Sequence, residues 1–279
     1  MGYRSLAVLV ALGTLAAAPV ALADTTDSTN WAGYSVQRPG VAFSTVRAAW
    51  TQPGVSCRPG SETYSSFWVG LGGFSSGSPA LEQIGTEVDC NRSGSTSSTA
   101  WYETVPAPSY PIFRPVSPGD QMAASVTVRG HTATLVLRNI SRGWTFTKSL
   151  RISSVDVSSA EWVVEAPSEC AGNTCQTLPL ANFGSAAFTS AAATTVRGHT
   201  GSLSDPRWQL TKIRLRPAGR QFAINGSLLA GGATPAGLQA GGSAFDVGYS
   251  LFSLQLPGVA RAASVPAHRL GPPSSVVGR

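Results

Sequence analysis

A chain of 279 residues that is 42% hydrophobic and only 12% charged, with 30 Gly and 19 Pro, can bury a sizeable core and is rich in turn formers; all-β domains of this length are commonly single. Its net charge of +6 comes from 20 basic and 14 acidic residues that are scattered, except where Lys212, Arg214 and Arg216 alternate along one face of a predicted strand. A nucleic-acid groove needs more such rows with interleaved aromatics, so that class is set aside and the row reads as a solvated face.

The few carboxylates are compatible with work at low pH, because little favourable charge interaction is lost when they protonate. Residues 1–23 carry Arg4 ahead of an apolar run, 6–18, and Ala21-Leu22-Ala23 before Asp24, the pattern of a secretory signal cut after Ala23. The mature chain is therefore expected to be secreted, with 24–255 as one domain and 256–279, rich in Pro, Ala and Ser, as a flexible tail. No second apolar run approaches a membrane span, so no membrane partner is expected for the mature form.

A polar lead, 25–29, runs into Asn30-Trp31-Ala32-Gly33-Tyr34-Ser35-Val36. Strand-like runs then recur at 43–50, 64–71, 82–88, 98–104, 121–128, 132–139, 144–147, 158–165, 186–189, 210–215 and 245–254, while Gly-rich 226–242 reads as a long loop. No long amphipathic helix is legible. Short strands punctuated by Gly, Pro and Ser predict an all-β sandwich of antiparallel sheets.

Export makes the four cysteines a disulfide framework, and pairing Cys57 with Cys90 and Cys170 with Cys175 is favoured among the three possibilities. A zinc site has no Cys-x-x-Cys and no His near a Cys, so no metal or other cofactor is expected. Asn91, Asn139 and Asn225 each begin an Asn-x-Ser sequon.

Most catalytic signatures are missing. There is no His-Glu-x-x-His and no Asp-Thr-Gly or Asp-Ser-Gly, so neither a thermolysin-like metal site nor an aspartic dyad is encoded. Gly73-Phe74-Ser75-Ser76-Gly77 matches Gly-x-Ser-x-Gly, but Ser78-Pro79 follows where a helix is required. His131 and His199 sit in apparent turns and His268 in the tail, which leaves a serine mechanism without a base. Two strands remain. In Ser159-Ala160-Glu161-Trp162-Val163-Val164-Glu165 alternation puts Glu161, Val163 and Glu165 on one face, and in Leu81-Glu82-Gln83-Ile84-Gly85-Thr86-Glu87 a neutral amide is bracketed by apolar residues.

The sequence resembles the glutamic peptidases, or eqolisins, over residues 30–254. The resemblance rests on Asn30-Trp31-Ala32-Gly33-Tyr34, Phe67-Trp68-Val69-Gly70-Leu71, Gln83-Ile84-Gly85-Thr86-Glu87, Trp101-Tyr102-Glu103, Ala160-Glu161-Trp162-Val163-Val164-Glu165 and the run Ala181-Asn182-Phe183-Gly184-Ser185-Ala186-Ala187-Phe188-Thr189. It implies two packed antiparallel sheets of jelly-roll or concanavalin type, one curved into a substrate groove. It further implies a catalytic pair on Gln83 and Glu161, with Trp68 in the groove and Glu103 nearby.

The expected activity is a secreted, pepstatin-insensitive acid endopeptidase acting as a monomer on polypeptides. Glu161 would activate a water, Gln83 would steady the tetrahedral intermediate, and Trp68 and Tyr102 would wall the substrate. Two departures from the fungal members stand out. Gly72 replaces an acidic residue four places after the groove Trp, so the charge tuning Glu161 differs, and the Asn-Trp-Ala-Gly block follows the signal with no room for a long pro-segment. The rival readings are a lectin-like sandwich that stacks glycans on Trp31, Trp68 and Trp101, and a glycosidase with two carboxylates flanking a sugar bond; the latter has no need of Gln83.

Overall fold

The computed structural model describes residues 23–171, 174–216, 222–224 and 227–254; the expected signal, apart from its last residue, and the expected tail lie outside them. The chain starts with β1 (Asp24–Ser28), β2 (Trp31–Gln37), β3 (Phe43–Thr51), β4 (Thr63–Gly72), β5 (Leu81–Cys90), β6 (Thr96–Val105) and β7 (Tyr110–Ile112). It continues through β8 (Gln121–Arg129), β9 (Thr132–Asn139), β10 (Trp144–Arg151), β11 (Ser159–Glu165) and a ribbon of β12 (Ser168–Ala171) with β13 (Thr174–Thr177). The last elements are β14 (Ser185–Thr195), β15 (Thr200–Gly201), β16 (Gln209–Leu215), β17 (Phe222–Ile224), β18 (Ser227–Pro235) and β19 (Phe245–Leu254), with one 3-10 turn at Ala240–Gly242.

Pairing runs β1-β16-β2-β11-β4-β5-β6-β7 in one layer and β10-β9-β8-β3-β14-β19-β18-β17 in the other; β16 touches β18 at Leu215 and Ala233. Every ladder among the described residues is antiparallel except β1 against β16. The core forms where the two layers face each other. Alternation turns Ala32, Tyr34 and Val36, Phe67, Val69 and Leu71, and Ala160, Trp162 and Val164 inward, against Phe43, Trp50, Met122, Leu137, Phe188 and Phe245 of the second layer. Two indole N–H groups pin the layers together: Trp50 Nε1 donates to Thr86 Oγ1 at 3.0 Å and Trp162 Nε1 to the Arg47 carbonyl at 2.8 Å.

Short strands β7, β12, β13, β15 and β17 were not expected and β10 and β14 run past their expected ends, and two further segments change their reading altogether. The polar lead forms β1, because its backbone can add to the edge of β16 while Asp27 meets Arg214 at 2.7 Å and Arg216 at 3.8 Å; two of the three residues of the basic row thus share one carboxylate. The Gly-rich stretch read as a loop forms β18, paired with β19 over eight positions. Rings from β19 take up the space beside its glycines: an added Cβ at Gly231 would lie 2.9 Å from the Tyr249 ring.

Cys57 and Cys90 form a disulfide, as expected, across a sequence separation of 33. Cys170 faces Cys175 in the β12–β13 register, but the Cys170 side chain lies outside the described residues; no described cysteine is free. Of the sequons, Asn91 is exposed, whereas Asn139 is 0% exposed and donates to Asp120 Oδ2 at 2.7 Å; Asn225 lies outside the described residues. No described helix is long and apolar enough to cross a membrane.

Candidate active site

On the outer face of the first layer the register builds rows that cross the strands. One row reads Thr211, Ser35, Glu161, Gly70, Gln83, Glu103 on β16, β2, β11, β4, β5 and β6. Glu161 and Gln83 therefore stand one strand to either side of Gly70, with Cα atoms about 10 Å apart at two strand spacings. Side chains of their length can converge from both sides on one small molecule above Gly70. The next row toward the C-terminus of β11 is aromatic and apolar: Ile213, Gly33, Val163, Trp68, Gly85 and Trp101.

The dyad candidates are buried and incompletely bonded. Glu161 is 0% and Gln83 4% exposed. Ser35 Oγ donates to Glu161 Oε1 at 3.2 Å, and Gln83 Nε2 donates to Glu103 Oε2 at 2.5 Å. Glu161 Oε2 and Gln83 Oε1 have no protein partner, a condition they share among the described residues with buried atoms of Gln52, Glu82, Asp89, Trp101 and Ser159; what sets these two apart is that they stand in one row on either side of Gly70. Burial drives the Glu161 carboxyl well above its ordinary range. The Ser159 and Ser35 hydroxyls oppose that rise, while the charges of Asp156 and Glu82 add to it.

The other sequence candidates fall into place around this row. Trp68 is fully buried, packs with Leu81, Trp101 and Val163, and meets Trp31 edge to face at 5.0 Å. Glu165 has both oxygens engaged: Trp68 Nε1 donates to Oε2 at 2.8 Å and Asn30 Nδ2 to Oε1 at 2.9 Å. Its pKa is pushed up to about 7, chiefly by burial. Glu103 is likewise raised by burial, with the Gln83 bond acting the other way.

Tyr102 is not on this face. Alternation turns it toward the second layer, where it stacks on Phe146 at 5.7 Å and on Tyr110 at 5.4 Å, and Trp101 takes the place beside Trp68. The serine signature lies in a loop, and His131 and His199 bond to the Ile152 carbonyl and to Asp205 Oδ2, away from the row.

Several contributors had little or no signal in the sequence. Ser35 and Asn30 are ordinary polar residues of the first block, and only the β2–β11 register brings them to Glu161 and Glu165. Gly70 matters by what it lacks: an added Cβ would lie 2.9 Å from both Leu81 Cδ1 and Trp68 Cζ3, so those two groups close over it. A depression of about 480 Å³ lined by Asn30, Trp31, Gly73, Phe74 and Ile213 lies on the Trp31 side of the face. A cavity of about 180 Å³ lies instead beside Cys57, Arg58 and Tyr249 and shares no residue with the dyad row. No described group of three or more His, Cys, Asp or Glu is arranged to hold a metal.

The arrangement has close structural relatives. The fold superposes on scytalido-glutamic peptidase with a peptide-based transition state analog at TM-score 0.60, with 27% identity over 80% of this chain and 98% of that one. SCP-B, a member of the eqolisin family of peptidases in complex with the tripeptide Ala-Ile-His, matches at TM-score 0.56 and 25% identity, again over 80% and 98% of the two chains. Aspergilloglutamic peptidase from Aspergillus niger matches at TM-score 0.50 and 25% identity over 67% and 99%. Among curated proteins the sequence has no match. The model of the Peptidase A4 family covers residues 29–218, and the chain belongs to that family, the glutamic peptidases or eqolisins.

Proposed function

We propose that this member of a peptidase family is an exported endopeptidase working in acid to mildly acid conditions, with Glu161 and Gln83 as its catalytic pair. The observation that carries the reading is the row Glu161, Gly70, Gln83, in which the only unbonded oxygens of the two outer side chains are buried. Ionised Glu161 takes a proton from a water held between the two side chains, and the water oxygen bonds to the scissile carbonyl carbon. Gln83 accepts from that water through Oε1. The N–H not used on Glu103 donates to the developing oxyanion. The protonated Glu161 then gives its proton to the amide nitrogen as the C–N bond breaks, releasing an acid and an amine.

Of the three indoles a glycan-stacking platform would use, Trp68 at 0% and Trp101 at 9% exposure offer no open face, which leaves only the partly buried Trp31. The signal-like segment and the Cys57–Cys90 bridge support an extracellular location.

Cleavage of denatured casein across pH 3 to 7, with and without pepstatin, tests the reading. Pepstatin should leave the rate unchanged. Glu161→Gln should abolish cleavage, by at least about a thousandfold, and Gln83→Ala should lower kcat by about 10²–10³, both with melting curves intact. Wild-type rates in either variant would sink the assignment.

A further inference from the structure

The β4–β5 connection, residues 73–80, is held down beside the dyad row by a side chain from elsewhere in the chain. Asp156, three residues before β11, accepts from Ser78 Oγ and from Gly73 N (3.4 Å) through Oδ2, and from Ser158 N (2.9 Å) through Oδ1. It packs directly on Gly72, whose φ of +83° already disfavours a side chain: an added Cβ would lie 2.6 Å from the Asp156 carbonyl oxygen and 2.9 Å from its Cβ. Gly72 is two residues past Gly70, the centre of the dyad row, and Asp156 is five before Glu161. The absent side chain at position 72 is what lets Asp156 approach.

We propose that Asp156 is a positioning residue for the reaction: its carboxylate latches the 73–80 loop beside the groove and keeps a fixed negative charge next to Glu161, so that it sets the pH range in which the enzyme works. The proposal rests on Glu161 being the base.

After burial and the Ser159 and Ser35 hydroxyls, Asp156 is the foremost charge acting on Glu161. Glu161 meets the Ser35 hydroxyl from β2, Ser159 on its own strand and Gln83 with Glu103 behind it across Gly70, and it feels the charges of Asp156 and of Glu82, whose side chain alternates to the other face of β5. Glu165 lies four residues further along β11 with both oxygens bonded. Among the described residues no Arg, Lys or His pairs with any of these carboxyls. Glu82 is held neutral up to about 8, mainly by burial, whereas the hydrogen bonds to Asp156 keep it ionised below the ordinary Asp value. Of the two carboxyls whose charge acts on Glu161, Asp156 is therefore the one that is ionised through the acid range.

Asp156→Asn keeps the shape and removes the charge. The acid limb of the kcat/KM profile should move down by about one pH unit, making the variant up to about tenfold faster on that limb. Ser78→Ala keeps the charge and weakens the latch, so KM should rise with the limb in place. If Asp156→Asn does not fold, Asp156→Ser, which retains a short polar group against Gly72, replaces it. Titration of the Glu161 carboxyl by ¹³C NMR in the substrate-free full chain reads the same shift without activity. A chain with no Glu161-dependent cleavage but a lowered Glu161 midpoint in Asp156→Asn would refute the peptidase reading and leave the Asp156–Glu161 coupling standing. A midpoint that does not move, with a rate scaled equally at all pH, would overturn the proposal.

Discussion

Two polar side chains on separate strands are set in one row by a third residue that has no side chain at all. Gly70 separates Glu161 from Gln83, and a methyl there would press on Leu81 Cδ1, Trp68 Cζ3 and, at 3.2 Å, the Glu82 carbonyl oxygen. Gly70→Ala should destabilise by about 1–3 kcal/mol and depress kcat, because the Trp68 ring and Leu81 methyl it presses on belong to the rows that flank the dyad row on either side. Thermal melts beside kinetics check this; an unaltered Tm with full activity would contradict it. Glu161 and Gln83 drew notice in the sequence because a carboxylate and an amide among apolar strand residues need a reason to be there, and the strand register brings them into one row. Tyr102 shows the limit of that kind of reading. Trp101, Tyr102 and Glu103 alternate, so the block alone cannot say whether the middle residue or its neighbours face the groove; the Gln83–Glu103 register decides it.

At the scale of elements, most strands with a buried alternating face were legible to within about two residues of their ends, but β14, expected only over 186–189, runs from Ser185 to Thr195, and strands without such a face were missed or cut short. β1 is polar on both faces and is held by β16 and the Asp27–Arg214 pair, a tertiary cause invisible in five residues of local sequence. β18 is rich in small residues, and its partner β19 supplies the aromatic bulk. The segment bearing Asp156 has no motif, and its position follows from the void beside Gly72. The Cys57–Cys90 bridge ties the segment before β4 to the end of β5, the strand that carries Gln83. Replacing both cysteines with Ser should cost about 3–4 kcal/mol by loop-closure entropy, read as a lowered denaturation midpoint. Unchanged stability would mean that core packing alone fixes β5.

Over the whole molecule the buried carboxyls give a distinctive pH dependence. Glu82 and Asp89 are pushed up to about 8 and Glu165 to about 7, in each case chiefly by burial, and Glu87, Glu103 and Glu161 are raised as well. A carboxyl raised in the folded state keeps a proton that the unfolded chain releases, so its contribution is complete below the ordinary carboxylate range and is lost as pH climbs through 7 to 8. Asp120 and Asp156 are lowered, so their contribution holds above their ordinary value of 3.8 and disappears only as pH falls below it. Stability should peak in mild acid and decline toward pH 8, which melting temperatures from pH 3 to 9 will show; a Tm that climbs from pH 5 to 8 would contradict it. Because Glu161 must ionise to act as a base and is itself raised, activity should rise out of the strongly acid range and then be cut off by this loss of stability.

The central claim is that Glu161 and Gln83 act as one unit on one water. A double-mutant cycle in kcat/KM with Glu161→Gln, Gln83→Ala and both together measures it directly. Joint action predicts that the double variant is no slower than Glu161→Gln alone, within about threefold. Losses that multiply, as for two independent sites, would contradict the account.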